Sequence, residues 1–142
     1  MKHASLQIIH DEHSALAAML RSMSMMVTRG PQDKPEQFFD VLRAMLFYID
    51  EFPERLHHPK ESELLFPRVV RAAPSMAAVV ERLEHDHMSG EKAVRDLQHA
   101  LQAWELLGES RRPAFTAQCQ QYVSFYLEHM RLEETVILPE AE

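Results

Sequence analysis

Apolar residues near the start of the chain recur at Leu6, Ile9, Leu16, Leu20, Met23 and Val27. Steps of three and four put them on one stripe of an α-helix. The stripe stops at "RGPQDKP", Arg29 to Pro35, where Gly and Pro break the helix. A second helical pattern starts at about Glu36 and runs through "FFDVLRAMLFYIDEF". Pro53 and Pro59 lie in its continuation, so kinks or a break are predicted there. The pattern resumes in "ESELLFPRVVRAA" and stops at Pro74. Ser75 reads as the N-cap of a third helix. Its apolar positions Val79, Leu83, Val94, Leu97, Leu101 and Trp104 lead to a C-cap at Gly108. Ser110 reads as the cap of a fourth helix, with Pro113 in its first turn and Pro139 at its end. Four long helices with mostly short connections predict an all-α, antiparallel up-down-up-down four-helix bundle. Residues 1–142 read as a single domain.

Composition narrows the function classes. Hydrophobic residues are 46% and charged residues 26%, the balance of a globular chain with a real core. The net charge is −7 and no basic run is present, so neither nucleic acid nor an anionic membrane surface is expected as a partner. No apolar stretch approaches a membrane span, and "MKHASLQIIHDEH" turns polar too soon for a secretory signal. With Cys119 as the one cysteine, a cytoplasmic protein without disulfides is expected. We read Cys119 as a small helix residue and the methionines of "MLRSMSMMV" as core filler. Histidine is the unusual count, at nine.

Those histidines fall in clusters, and two clusters repeat. "HHPKESELLFP" lies over "HMRLEETVILP", so that His57 meets His129, Glu61 meets Glu133 and Pro67 meets Pro139. "HDEHSAL" and "EHDHMSG" align His13 over His87. Residues four apart share a helix face, so His57 with Glu61, and His129 with Glu133, each present an imidazole and a carboxylate toward one point. His13 falls on the seam Leu6, Ile9, His13, Leu16, Leu20, and His87 on the seam Leu83, His87, Gly90, Val94, Leu97. Each helix thus offers an inward histidine, and two add a glutamate. One inward histidine is an ordinary core residue, and one His-x-x-x-Glu an ordinary exposed pair. Four imidazoles in one bundle need partners. Two metal ions bridged by two carboxylates would satisfy them all, and the set His13, His57, Glu61, His87, His129 and Glu133 is the predicted ligand set.

The same residues carry a family resemblance. "HDEH", "LHHPKESELLFP", "LEHDHMSGE" and "EHMRLEETVILP" resemble the hemerythrin-like, HHE cation-binding domains, from about Leu6 to Pro139. The resemblance implies a bundle holding two non-haem iron ions, with zinc or manganese as alternatives. In it His57 and His129 match the motif histidines, Glu61 and Glu133 the bridging carboxylates, and His13 and His87 the single histidines of helices one and three. The order His-then-Glu differs from the Glu-x-x-His of ferritin-like bundles. Oxygen-carrying members have a second histidine four residues before the helix-three ligand, where this chain has Leu83. Glu84, His85 or His10 would have to bend in to replace it. The register of those carriers would select Glu134 as the last carboxylate, whereas the internal repeat selects Glu133.

His10 and Glu84 are expected beside the site as orienting or substitute ligands. His58 should point away, unless Pro59 twists the turn and exchanges it with His57. Tyr126 either donates a hydrogen bond near the metals or packs as an ordinary aromatic. The expected function is binding of dioxygen or a related small molecule at a di-iron centre, as a binder or a sensor. The alternatives are redox catalysis on peroxide, oxygen or nitric oxide, and an iron- or oxygen-responsive interaction module with a protein partner or a second copy of the chain.

Overall fold

In the computed structural model, residues 4–52, 59, 61–137 and 139 are described. Pro53, His57 and His58 lie outside them, so the expectations placed on these three residues do too. The elements are α1 (Ala4–Arg29), α2 (Pro35–Ile49), α3 (Phe66–Ala72), α4 (Ala77–Leu107) and α5 (Arg112–Leu132). Among the described residues there is no strand. α1 packs on α2 and α5, and α4 packs on the same two helices, which closes a four-membered bundle. α3 packs on the π-helical segment that precedes it and on α4. No helix of the described residues is long and apolar enough to cross a membrane.

The helix boundaries follow the punctuation of the sequence. α1 ends where Gly30, at φ 82°, donates its N–H to the Met26 carbonyl, a backbone conformation that glycine adopts without cost. α2 starts on Pro35, whose missing N–H is not needed in a first turn. α4 ends at Gly108, at φ 99°, with its N–H on the Trp104 carbonyl. Two expected caps are corrected. Ser75 lies in a 3₁₀ turn, Pro74–Met76, and α4 is preceded by Met76 with no side-chain cap. Ser110 likewise lies in the 3₁₀ turn Glu109–Arg111, and α5 starts from Arg111 with Pro113 in its first turn. In both places a proline or glycine sets up a tight lead-in turn, so the capping serine is displaced from the helix start.

Besides the two 3₁₀ turns and a short π-helical stretch at residues 50–52, two five-residue segments depart from α-geometry. Glu61–Leu65 and Glu133–Ile137 are π-helical, one just before α3 and one just after α5. They occupy matching positions of the internal repeat, and each begins with the repeat's glutamate. Single π turns inside α-helices are uncommon and are found mostly at functional sites.

The predicted seams are buried, except that Val79 is half-buried and Val80 beside it takes the core position. The larger apolar cluster joins Leu16, Leu20, Met23 and Val27 of α1 to Leu42 and Leu46 of α2, Val94 and Leu97 of α4, and Phe115 and Tyr122 of α5. Trp104 anchors its far end, with Phe38 and Phe39 edge-on at 5.4 and 5.0 Å between ring centroids. Cys119 is fully buried in this cluster, and burial pushes its thiol up to about 11, so it serves as a small core residue. A smaller cluster at the other end joins Leu6, Ile9, Leu65, Phe66, Val69, Val80, Leu83 and Ile137. Leu64 is 69% exposed on its π turn, while Leu65 and Phe66 beside it are buried.

Candidate metal centre

Between the two apolar clusters lies one polar layer. His13, Glu61, His87, His129 and Glu133 are the buried polar residues among those described. α1 supplies His13, α4 supplies His87, α5 supplies His129, and each π segment supplies its first residue. Glu61, His87, His129 and Glu133 offer ligand atoms that all lie within 4.8 Å of one another. His13 Nε2 adjoins them, 3.4 Å from Glu61 Oε2 and 3.9 Å from Glu133 Oε1. His87 Nε2 stands 3.1 Å from Glu61 Oε1, and His129 Nε2 stands 2.5 Å from Glu133 Oε1. The three Nε2 atoms and all four carboxylate oxygens are shut off from solvent.

The outer nitrogen of each ring decides what the inner one offers. His13 Nδ1 lies 3.2 Å from Glu134 Oε1. His129 Nδ1 lies 3.3 Å from Asp86 Oδ2. An ionised carboxylate only accepts, so an Nδ1 that carries the ring proton donates to it and leaves Nε2 with a lone pair for a cation. His87 Nδ1 lies 3.2 Å from Ser62 Oγ, whose hydroxyl donates to Glu84 Oε2 at 2.9 Å. That histidine too presents a lone pair inward. Burial, reinforced by nearby His87 and opposed by Glu61 and Asp86, holds His129 down to about 4, so its ring is neutral near pH 7. Neutral imidazole is the form that binds a metal. Electron-rich nitrogen and oxygen atoms thus face each other in a dry layer, where mutual repulsion is costly and cations relieve it. Three imidazoles and two carboxylates are a donor set that suits first-row divalent metals.

The expected residues separate clearly. Glu133 enters the layer, while Glu134 stands behind it, on His13 Nδ1 and 3.3 Å from His10 Nδ1. The register taken from the oxygen carriers points to Glu134, which in this structure is half-buried and lies on the outer nitrogen of His13. His10 and Glu84, expected to act together, serve different networks: His10 meets Glu134, and Glu84 meets Ser62. His85 is exposed and Leu83 is fully buried in the small apolar cluster. None of His10, Glu84 and His85 takes the place of a helix-three ligand. Glu63, two residues after Glu61, is exposed. The Tyr126 ring packs on His129 at 5.6 Å, and Phe66 stacks on His87 at the same separation. Asp86 and Ser62 were not singled out from the sequence. Each is adjacent in the chain to a layer residue, one step off the seam, where a side chain reaches the back of a neighbouring ring.

The model of the hemerythrin HHE cation-binding domain matches residues 4–141. No curated protein matches the chain.

Proposed function

The chain belongs to the hemerythrin HHE cation-binding family, and from that premise we propose that it holds two iron ions and binds dioxygen or a related small molecule. The ligands would be His13, Glu61, His87, His129 and Glu133, with His57 added from its place in the repeat. Zinc or manganese would accept the same donors, and availability decides between them. The observation that carries this reading is the buried layer itself, in which both oxygens of two glutamates meet three inward lone pairs. Two carboxylates can each serve two cations, which is why two ions suit the layer better than one.

Leu83 supports the ligand-binding half of the reading. It stands where a further helix-three donor would be, fully buried and without a donor atom. One metal would therefore keep a coordination position for an exogenous ligand, bordered by the small apolar cluster. Such a surround favours a small, weakly polar molecule over a charged one. Bound iron supplies the redox activity, and the chain's residues exclude bulk water and orient the imidazoles.

Anaerobic reconstitution with ferrous iron tests the proposal. Two irons per chain and a visible charge-transfer band on exposure to oxygen, reversed on deoxygenation, are expected. Fewer than two irons, or no band, rejects it. Continued oxygen consumption beyond one equivalent would instead favour a redox enzyme.

A further inference from the structure

The outer nitrogens of the three histidines are held in two ways. His13 and His129 each meet a carboxylate directly. His87 meets a hydroxyl, and that hydroxyl is itself committed elsewhere. The geometry points to Ser62 and Glu84 as a positioning pair that fixes the tautomer of His87 and thereby the affinity of the site for its cation. This inference rests on the metal-binding reading above.

The argument is one of proton counting. Ser62 has a single hydroxyl proton, and an ionised carboxylate can only accept. With Oγ 2.9 Å from Glu84 Oε2, that proton goes to Glu84. The lone pairs of Oγ remain for His87 Nδ1, 3.2 Å away, which must then donate. His87 Nε2 is left without a proton, 3.1 Å from Glu61 Oε1. A hydroxyl not bound to a carboxylate could turn and donate to Nδ1 instead. The ring proton would then sit on Nε2, where Glu61 accepts it and a cation is shut out. Glu84 is the residue that forbids this arrangement, through its hydrogen bond with Ser62. Its placement follows from local geometry. Glu84 and His87 are three apart on α4 and share a face, and Ser62 follows Glu61 in the π segment. The residue that aims the carboxylate and the residue that sets the polarity of the imidazole are thus chain neighbours.

A pair that merely fastened α4 to the π segment would not care which way the hydroxyl points. Glu84→Gln separates the two roles, because a glutamine keeps the shape but can donate to Ser62. Long-range proton–nitrogen spectra of the metal-free protein report the His87 tautomer. Competition with a chromophoric chelator reports zinc affinity. Wild type should show the Nδ1–H tautomer, and Glu84→Gln should show Nε2–H with zinc bound about 10- to 100-fold more weakly. Ser62→Ala should weaken zinc to a similar extent, and Ser62→Thr, which keeps the hydroxyl, should restore both readouts. Either readout unchanged in Glu84→Gln overturns the inference. If wild type itself takes up no zinc, the metal reading falls, and the tautomer comparison alone decides the role of the pair.

Discussion

The two π segments begin alike and diverge after one residue. Glu61 and Glu133 both open a π turn, and both point their carboxylates into the same layer. The next residue in each segment reaches the outer nitrogen of a histidine on an adjacent helix: Ser62 for His87, and Glu134 for His13. Those two histidines are themselves repeat partners. The structure therefore carries the sequence repeat down to the level of individual hydrogen bonds, with one change. One half uses a carboxylate and the other a hydroxyl backed by a carboxylate. A carboxylate acceptor draws the ring proton more strongly and makes the opposite nitrogen a better donor. The two halves of the layer are thus matched in geometry and unequal in donor strength.

Three experiments would break or sharpen that comparison. The largest effect is expected from the carboxylates. Glu61→Ala and Glu133→Ala should each abolish metal uptake, read by elemental analysis. They should also remove the stabilisation that bound metal confers, about 2.7 kcal/mol at a hundredfold excess over Kd. Chelation of the wild type should lower its unfolding midpoint and leave that of both variants unmoved. If one glutamate proves dispensable, the two segments are not equivalent.

A smaller effect is expected one residue before the paired histidines. Asp86 precedes His87 and holds His129. Glu12 precedes His13 and stands at the matching place of the repeat. Asp86→Asn and Glu12→Gln should each weaken metal binding about 10- to 100-fold, measured by chelator competition. Loss in Asp86→Asn with no change in Glu12→Gln would limit the repeat to the π segments.

The smallest effect is expected at the rim. His10 is 47% exposed and meets Glu134 in a solvated pair. His10→Ala should change stability by no more than about 1 kcal/mol and leave metal stoichiometry intact. Glu134→Gln, which alters the partner of His13 itself, should weaken metal binding more. Equal effects would mean that His10 takes part in holding His13.

Much of this was readable in the chain because the layer sits on helical seams. His13 and His87 occupy positions that apolar periodicity already marks as inward. Glu133 could be preferred to Glu134 because the repeat ties it to Glu61. The π turns were not readable, since they leave the composition of a helix unchanged and move only its hydrogen-bond register. The orienting groups were hidden for another reason. Asp86 and Ser62 lie one step off the seam, and periodicity treats such positions as surface. Their role depends on the crossing of neighbouring helices, which no single helix encodes. The serine caps failed on local grounds, because Pro74 and Gly108 each introduce a 3₁₀ turn ahead of the helix.

The polar layer also divides the hydrophobic core. Above it lies the large cluster anchored by Trp104, and below it the small one around Leu83 and Phe66. The small cluster draws on the start of α1, on the run from Leu65 to Leu83 and on Ile137, and each of these is followed or preceded by a residue of the layer. Without cations, the groups that join the two parts repel one another; with cations, they bind the same ions. Metal occupancy is then a coupling between two cooperative units. Amide exchange should report it as the slowing of the Leu65–Val69 and Val80–Leu83 stretches on loading, with the Trp104 end little changed.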